Sequence, residues 1–388
     1  MDRVRIPDCE YNERIKKAAE KAGEWNLDVL LVNSTESDYA NVRYFSGFWP
    51  LFERAGVAIA PSGRAAIIVG PESTIYASDV SRIGNVLTSL SYRESANPSY
   101  PELKPNNYSD VFKAIGVSGK KLRIGVCSLL DTTVVMMEDL KSCFPEAEII
   151  DAYDIMVELR SVKSENELKC LREGFRITSL AMEEVRKNLR PGVTELQMVG
   201  LAQRVIYENG AEYEGLPMYV FSEKSTRHAI SRPSYRTIER NDIVQLNLSA
   251  KVDGYSPSIG YPVCVGKLTP EKRRIVEFGL QAHRWTESRL RAGVRAADVA
   301  SDFYKMYVDQ GFGDNFVYGP CHGIGMIEVE APWMESNSDY FLKHNMTFQI
   351  DTFVSGKTFG IRWEKGVAVT DSGYESLCAP IGEIYELG

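Results

Sequence analysis

The sequence predicts an α+β protein with two domains, a smaller α/β domain over residues 1–158 and a larger domain over residues 159–388. Short apolar strands alternate with amphipathic helical stretches through the first part. The pattern then changes, because Ser164-Glu-Asn-Glu167 is a capping box that predicts the start of a long helix. The second part contains an internal repeat. With 388 residues, of which 44% are hydrophobic, the chain can bury two cores.

The first domain is predicted from a series of short elements. Its charged, amphipathic start predicts a helix, and the apolar run that follows predicts a buried strand. Two apolar runs flank Pro61-Ser-Gly63, which is typical of a β-hairpin because proline and glycine favour a tight turn. The predicted helix, first strand, two hairpin strands and two later strands cover residues 11–25, 28–32, 56–60, 65–69, 122–126 and 147–150.

The second domain repeats a helix and a strand at an interval of about a hundred residues. Each helix begins after a similar tetrapeptide and ends at a glycine, and the two strands have similar sequences. The copies comprise Arg190-Pro-Gly-Val193, Gly210 and Ile243-Val-Gln-Leu-Asn247, then Arg291-Ala-Gly-Val294, Gly311 and Thr347-Phe-Gln-Ile-Asp351. The repeat predicts two pseudo-symmetric halves, with Asn247 and Asp351 as counterparts that face one central cleft.

Composition excludes several classes of function. The formal net charge is −8 and the chain has no basic run, so we expect no nucleic-acid partner. The N-terminus has no apolar signal core, and no stretch reaches about 18 apolar residues, so we expect a cytoplasmic protein without a membrane partner. The seven cysteines are scattered without a CxxC pair, which predicts neither a disulfide framework nor a zinc knuckle.

A family resemblance rests on motifs in the last third of the chain. Cys321-His-Gly-Ile-Gly325, Glu330-Ala-Pro332, Arg362-Trp-Glu364 and Val367-Ala-Val-Thr370 occur in this order. They resemble the signature of the family that includes creatinase, aminopeptidase P, prolidase and methionine aminopeptidase. The resemblance spans nearly the whole chain. It implies a creatinase-type N-terminal domain followed by a C-terminal pita-bread domain.

The resemblance also indicates which residues take the place of the family's metal ligands. The metallopeptidases use two aspartates, a histidine and two glutamates, and the matching residues here are Asn247, Ser258, His322, Asp351 and Glu364. Two carboxylates are absent and a third is shortened. Because hard divalent ions need anionic oxygen ligands, we expect no dinuclear centre and no cofactor. A single, weakly held ion is left open.

Creatinase is the family member that works without metal, and it has asparagine at the position of Asn247. The resemblance therefore implies a metal-independent hydrolase of a C–N bond in a small guanidino, amidine or cyclic amine acid. His228 is the expected proton-transfer residue, because an imidazole titrates near neutral pH. The resemblance completes the catalytic set with His322, Asp351 and Glu364. Creatine itself is not expected, because Gly260 and Trp333 stand where the family's creatine-binding glutamate and arginine would be.

Substrate-binding roles follow from the same resemblance. Phe52-Glu-Arg54 is similar to a loop that reaches into the neighbouring subunit, so we expect a homodimer with shared sites and Arg54 bound to a substrate carboxylate. Trp333 is expected either to contact the substrate or only to pack beside Pro332. The remaining substrate-binding candidates are Tyr255, Asn247 and Glu330, and Glu330 is alternatively a group that orients His322.

Two other functions stay open. The chain is alternatively an Xaa-Pro dipeptidase or aminopeptidase P-like metallopeptidase with a degenerate metal site, or a non-catalytic pita-bread binding protein. Retention of four ionisable groups in one cleft argues against a pure binder. The other two histidines, His283 and His344, lie in helical or loop segments without partner residues, and we expect them on the surface.

Overall fold

A computed structural model describes residues 3–388, which form two compact units. The first unit is Ile6–Arg160, and the second is Ser161–Gly388 together with residues 3–5. Both helices and sheets contribute to each unit, which confirms the predicted α+β class. Between residues 3 and 388, no helix combines the length and apolar character needed to cross a membrane.

The N-terminal unit is built on a six-stranded sheet. The strand order is β4-β3-β2-β1-β5-β6, in which β2 pairs antiparallel with both of its neighbours and the other pairings are parallel. The elements of this unit are α1 (Asp8–Glu24), β1 (Val29–Ser34), α2 (Ala40–Ser46), β2 (Ala55–Ile59), β3 (Ala65–Val69), α3 (Thr74–Val80), β4 (Val86–Thr88), α4 (Tyr108–Ala114), β5 (Arg123–Val126), α5 (Val134–Cys143), β6 (Glu148–Asp151) and α6 (Tyr153–Ser161).

The hairpin of this unit forms where the sequence predicts it. Strands β2 and β3 pair antiparallel, and the turn closes with a hydrogen bond from the Ala60 amide to the Arg64 carbonyl. Gly63 has φ +82°, a conformation that glycine adopts without a steric penalty. Every residue of β1 is buried, which agrees with its continuous apolar run. The hairpin prediction is confirmed.

The C-terminal unit is built on a nine-stranded sheet. Seven strands follow the order β11-β10-β12-β13-β9-β8-β7, while β14 pairs with β13 and β15 pairs with β9. The elements are α7 (Glu165–Asn188), α8 (Glu195–Glu208), β7 (Tyr219–Ser222), β8 (Ile243–Leu248), β9 (Ile259–Cys264), α9 (Pro270–Glu287), α10 (Ala296–Asp309), β10 (Cys321–Gly323), β11 (Glu330–Met334), β12 (Thr347–Ser355), β13 (Gly360–Val369), β14 (Tyr374–Ser376) and β15 (Tyr385–Glu386).

The predicted capping box starts the first helix of this unit. The Ser164 hydroxyl accepts a hydrogen bond from the Glu167 amide, and the Glu167 carboxylate accepts one from the Ser164 amide at 2.7 Å. These two contacts satisfy amide groups that a helix N-terminus leaves without a partner. The capping-box prediction is confirmed, and α7 is 24 residues long.

The internal repeat corresponds to two halves of the sheet. Helices α7 and α8 precede β8 and β9, while α9 and α10 precede β12 and β13, and the halves meet where β9 pairs with β13. Gln245 and Gln349 occupy equivalent positions of the repeat. The Gln245 side chain donates to the Arg362 carbonyl at 3.0 Å, and the Gln349 side chain donates to the Ser258 carbonyl at 2.5 Å. The repeated glutamines therefore each bond the other half.

Helix α9 packs against the back of this sheet and buries a histidine. The side chain of His283 is only 1% exposed, so the expectation that it lies on the surface is wrong. Gly279, one turn earlier, lets the sheet side chains Ile361 and Trp363 come close to the helix. Burial, together with the nearby Lys365 ammonium, lowers the pKa of His283 to about 3. His283 is therefore neutral in the folded protein.

This buried histidine predicts a pH dependence of stability. The unfolded chain binds a proton at His283 below pH 6.5, whereas the folded chain does so only near pH 3. The contribution of the neutral His283 to the free energy of unfolding is therefore complete above pH 6.5. It is lost, at up to about 1.4 kcal/mol per pH unit, as the pH falls toward 3. In urea denaturation between pH 4 and 7, His283→Gln should show a shallower loss of stability than the unmodified protein.

The exposed His344 provides the matched control for this measurement. Its side chain is 55% exposed beside Asp371, so His344→Gln should change the slope of stability against pH very little. Equal slopes for His283→Gln and the unmodified protein would contradict the assignment of a neutral, buried imidazole at His283.

Candidate active site

The site lies where the two halves of the C-terminal sheet meet. Asn247 on β8, His322 on β10, Asp351 on β12 and Glu364 on β13 are all at most 5% exposed. Asp351 is directly opposite Glu364 across the β12–β13 pair. Because alternate residues of a strand share one face, Arg362 lies on the same face of β13 as Glu364. The sheet thus gathers carboxylate, amide, imidazole and guanidinium groups.

A glycine lets Asn247 contact Glu364 across the intervening strand. Gly260 on β9 pairs with Asn247 on one side and with Glu364 on the other. A Cβ atom at residue 260 would clash with the Asn247 amide nitrogen. Because glycine has no Cβ, the Asn247 amide occupies that space, and Asn247 Nδ2 donates a hydrogen bond to Glu364 Oε2. The amide therefore reaches the carboxylate directly.

The orientation of the Asn247 amide is fixed from its other side. Gln245 Nε2 donates to Asn247 Oδ1 at 2.9 Å, so the amide oxygen is engaged and the NH2 group faces Glu364. A donor in this place binds a carboxylate and repels a cation. Ser258 is fully buried, and within the described residues its hydroxyl has no hydrogen-bond partner. Neither residue supplies an anionic oxygen, so a dinuclear metal centre does not fit this site.

An internal cation neutralises Asp351. Arg362 Nε lies 3.1 Å from Asp351 Oδ1, and the Tyr318 hydroxyl donates to Asp351 Oδ2 at 2.7 Å. Arg362 also donates to Tyr318 at 2.7 Å and to the Ala229 carbonyl at 2.9 Å. Burial alone lowers the pKa of Arg362, but Asp351 and other nearby acids hold that pKa well above its usual value. The guanidinium thus stays charged beside Asp351.

His322 presents one unbonded ring nitrogen to the carboxylates. Its Nδ1 lies 2.9 Å from the Gly323 carbonyl, and this contact assigns the ring proton to Nδ1. Nε2 then carries a lone pair. It lies 4.0 Å from Glu328 Oε1 and 4.0 Å from Asp351 Oδ2, and it has no hydrogen bond to any of the described residues. The ring is therefore oriented as a ligand or a proton acceptor.

Glu328 forms a buried group with His322 and Glu364, although it is not among the residues predicted for the site. One ligand atom from each of His322, Glu328 and Glu364 lies within 4.8 Å of the others. Burial raises the pKa of Glu364, and the neighbouring carboxylates of Glu328 and Asp351 raise it further. Burial also raises the pKa of Glu328. Two adjacent buried carboxyl groups ionise together only if a cation joins them.

The predicted proton-transfer residue lies in a loop outside this buried group. His228 is exposed after a short 3-10 helix, Glu223–Arg227, and its Nδ1 is 3.3 Å from the Ser231 hydroxyl. The loop is linked to the site because Arg362 donates to the carbonyl of Ala229, the next residue. The catalytic role of His228 stays a prediction.

Glu195 holds both ends of this loop, and sequence reasoning missed it. Its fully buried carboxylate accepts hydrogen bonds from Ser222 and Ser225 before His228 and from Ser234 after it. Glu195 is the first residue of α8, where negative charge is also favoured by the helix dipole. The signal available in the sequence was a glutamate directly after a capping threonine.

The predicted substrate-binding residues Trp333, Glu330 and Tyr255 differ in their burial and in the residues that they contact. Trp333 is paired with His322 across β10 and β11, its ring lies 5.3 Å from the imidazole, and its side chain is 38% exposed. Glu330 forms a buried ion pair with Lys163 at 3.0 Å. Tyr255 is fully buried and donates to Glu167 at 2.8 Å. Trp333 is thus the one of these three that adjoins His322 and reaches the surface.

The other two candidates lie in the N-terminal unit. Phe52 is 76% exposed and has φ +59°, an uncommon conformation for a residue with a side chain. Arg54 is half-buried near Asp131; burial and Asp38 raise the pKa of Asp131 to about 6, while Arg54 acts in the opposite direction. Their contact with a second subunit stays a prediction.

Gly260 provides a test of this geometry. We expect Gly260→Ala to lower the free energy of unfolding by roughly 1–3 kcal/mol, because the new methyl group overlaps the Asn247 amide. The loss should shrink when the same change is made in an Asn247→Ala background, where the overlapping amide is gone. Urea denaturation of the four proteins measures both values.

Gly200 is the matched control for that substitution. It lies in helix α8 with open space around its Cβ position, so Gly200→Ala should not destabilise the protein. An equal loss for Gly260→Ala with and without the Asn247 side chain would contradict the proposed contact.

Comparisons with known proteins agree with this architecture. The model of metallopeptidase family M24 matches residues 169–371, and the creatinase/prolidase N-terminal domain matches residues 14–162. The Xaa-Pro dipeptidase of Pyrococcus furiosus is 24% identical over 94% of this chain and 97% of its own length. The crystal structure of an X-Pro aminopeptidase from Thermotoga maritima has a TM-score of 0.81, with 22% identity over 97% of this chain and 99% of that one.

These matches correct one expectation and support others. The expected metal-independent, creatinase-like hydrolase is wrong, because the family is one of metallopeptidases and two relatives that match along nearly their whole length are Xaa-Pro dipeptidases. That expectation relied on the loss of carboxylates at Asn247 and Ser258 and overlooked Glu328. The expected pita-bread fold and a hydrolase of C–N bonds are confirmed.

The M24 match covers more than half of the chain and contains all of the buried site residues, from Asn247 on β8 to Glu364 on β13. The chain belongs to metallopeptidase family M24 and carries the creatinase/prolidase type of N-terminal domain.

Proposed function

We propose that this chain hydrolyses the C–N bond of short Xaa-Pro peptides. The observation that carries the proposal is the buried group of His322, Glu328 and Glu364, which keeps an imidazole and two carboxylates at the centre of the sheet. Peptide hydrolysis needs groups that orient water and accept its proton. The Xaa-Pro dipeptidases that match 94% of the chain support this choice of substrate.

The residues around the group support distinct roles. A divalent cation held by the group would polarise the scissile carbonyl and lower the pKa of a bound water. Glu364 is the proposed proton acceptor, because its carboxylate lies within the group and is oriented by the Asn247 amide. Asp351 is already bound by Arg362 and Tyr318, so it is not proposed as the proton acceptor.

Two flanking residues are proposed to contact the substrate. The partly exposed ring of Trp333 packs near His322 and offers an apolar face against which a proline ring can stack. His228, in the loop held by Glu195, is the proposed proton donor to the leaving amine. Arg54 and Phe52 are proposed to complete the site of a second subunit, which implies a homodimer. A cytoplasmic location likewise remains a proposal.

A second candidate, a non-catalytic binding protein, is favoured by one observation. Internal groups already engage two of the acids, since Arg362 neutralises Asp351 and Asn247 donates to Glu364. A site closed in this way could retain a peptide without cleaving it. Activity measurements on peptides distinguish the two candidates.

The test is release of proline from a panel of Xaa-Pro dipeptides by the full chain, with Mn²⁺, Co²⁺ or Zn²⁺ added separately. We expect turnover of Xaa-Pro and none of the reversed Pro-Xaa peptides. Glu364→Gln should lower the rate by roughly 100-fold or more, because it removes both the proposed proton acceptor and a carboxylate of the group that would hold the cation. The matched control is Glu335→Gln, which removes an exposed glutamate and should leave the rate unchanged.

Absence of turnover with every peptide and cation would contradict the proposed activity. Binding of an Xaa-Pro peptide without cleavage, measured by calorimetry on the same protein, would favour the binding protein instead.

A further inference from the structure

Glu328 lies outside the five positions that the family resemblance assigns to metal ligands. It follows strand β10 in the segment that leads to β11, yet its carboxylate reaches the buried group at the centre of the sheet. We propose that Glu328, His322 and Glu364 together bind a single divalent transition-metal ion, with Glu328 as a ligand gained outside those five positions. The inference deepens the proposed function by naming the cation site on which that function rests.

The distances suit one ion. The three ligand atoms lie within 4.8 Å of one another. Bonds from zinc to nitrogen or carboxylate oxygen are about 2.0–2.2 Å, so two ligands of one ion are separated by at most about 4.4 Å. Binding one ion would therefore require the most widely separated ligand atoms to approach each other by a few tenths of an ångström. Imidazole nitrogen and carboxylate oxygen are both ligands that Zn²⁺ takes in proteins.

Unpaired atoms at the site point independently to a bound cation. His322 is 2% exposed, its Nδ1 is bonded to the Gly323 carbonyl, and its Nε2 faces two carboxylate oxygens at 4.0 Å. All three of these atoms are acceptors, and no described residue donates a hydrogen bond to this Nε2. Glu328 Oε1 is likewise buried without a hydrogen-bond partner among residues 3–388. An electropositive centre between His322 Nε2 and Glu328 Oε1 would satisfy both of these lone pairs.

The charge count explains why one ion is expected where the family has two. Three carboxylates, those of Glu328, Asp351 and Glu364, meet one guanidinium, that of Arg362, which leaves a formal charge of −2. One divalent cation balances this charge. A second ion would have to lie beside the Asn247 amide and the Ser258 hydroxyl, which contribute no negative charge. The Arg362 guanidinium thus takes the place of one metal charge beside Asp351.

The experiment measures metal binding directly, without substrate. Metal-stripped full-length protein is titrated with Co²⁺, Mn²⁺ or Zn²⁺ by calorimetry, and bound metal after dialysis is counted by elemental analysis. We expect one ion per chain, with visible Co²⁺ absorption bands that report an imidazole and carboxylate environment. Glu328→Gln should weaken binding by roughly 100-fold or more and diminish those bands, because a charged ligand is lost.

Two further variants separate loss of a ligand from loss of the fold. Glu328→Asp keeps the charge on a shorter side chain and should bind more tightly than Glu328→Gln. Glu335→Gln removes an exposed glutamate nearby and should bind like the unmodified protein. Circular dichroism and thermal unfolding of each variant establish that it is folded before the titration.

The outcomes are distinguishable. Two ions per chain, no ion from any of the three salts, or unchanged affinity in folded Glu328→Gln would each overturn the proposed site. One ion per chain that depends on Glu328, together with no cleavage of Xaa-Pro peptides, would support the site and overturn only the proposed peptidase activity.

Discussion

The buried ion pair between Asp351 and Arg362 sets the charge balance of the whole site. Burying a carboxylate is costly unless a cation and hydrogen bonds compensate it, and here Arg362 and Tyr318 together supply both. The pair leaves Glu328 and Glu364 as the acids without an internal cation. Both have a raised pKa because of burial, which is the expected state of a carboxylate pair that lacks its counter-charge.

On the side of the cleft that holds Asn247, the main contact depends on a glycine that has no side chain. Gly260 lies between Asn247 and Glu364 in the sheet, and its missing Cβ lets the amide reach the carboxylate. Gln245 fixes the direction of that amide. The first half of the repeat therefore supplies a hydrogen-bond donor at a position where the family resemblance implies a charged ligand. The proposed cation site instead uses His322 and Glu328, together with Glu364.

Much of the fold could be predicted from local signals, because the capping box at Ser164, the hairpin and the repeat each depend on residues close in sequence. Four of the buried site residues were also predicted, since motifs mark His322 and Glu364 and the repeat marks Asn247 and Asp351. Glu328 and Tyr318 could not be found in this way, because both lie outside any periodic pattern and reach the site only through the fold. The burial of His283 was missed for a similar reason: it depends on how α9 packs on the sheet.

One divalent cation and Arg362 are proposed to balance the charge of the three buried carboxylates, Glu328, Asp351 and Glu364. Anomalous X-ray diffraction from crystals soaked in MnCl2 tests it most directly, because each bound Mn²⁺ gives its own peak. We expect a single peak per chain, within bonding distance of His322 Nε2 and the carboxylates of Glu328 and Glu364. A second peak beside Asn247 and Ser258, or a single peak that lacks Glu328, would contradict it.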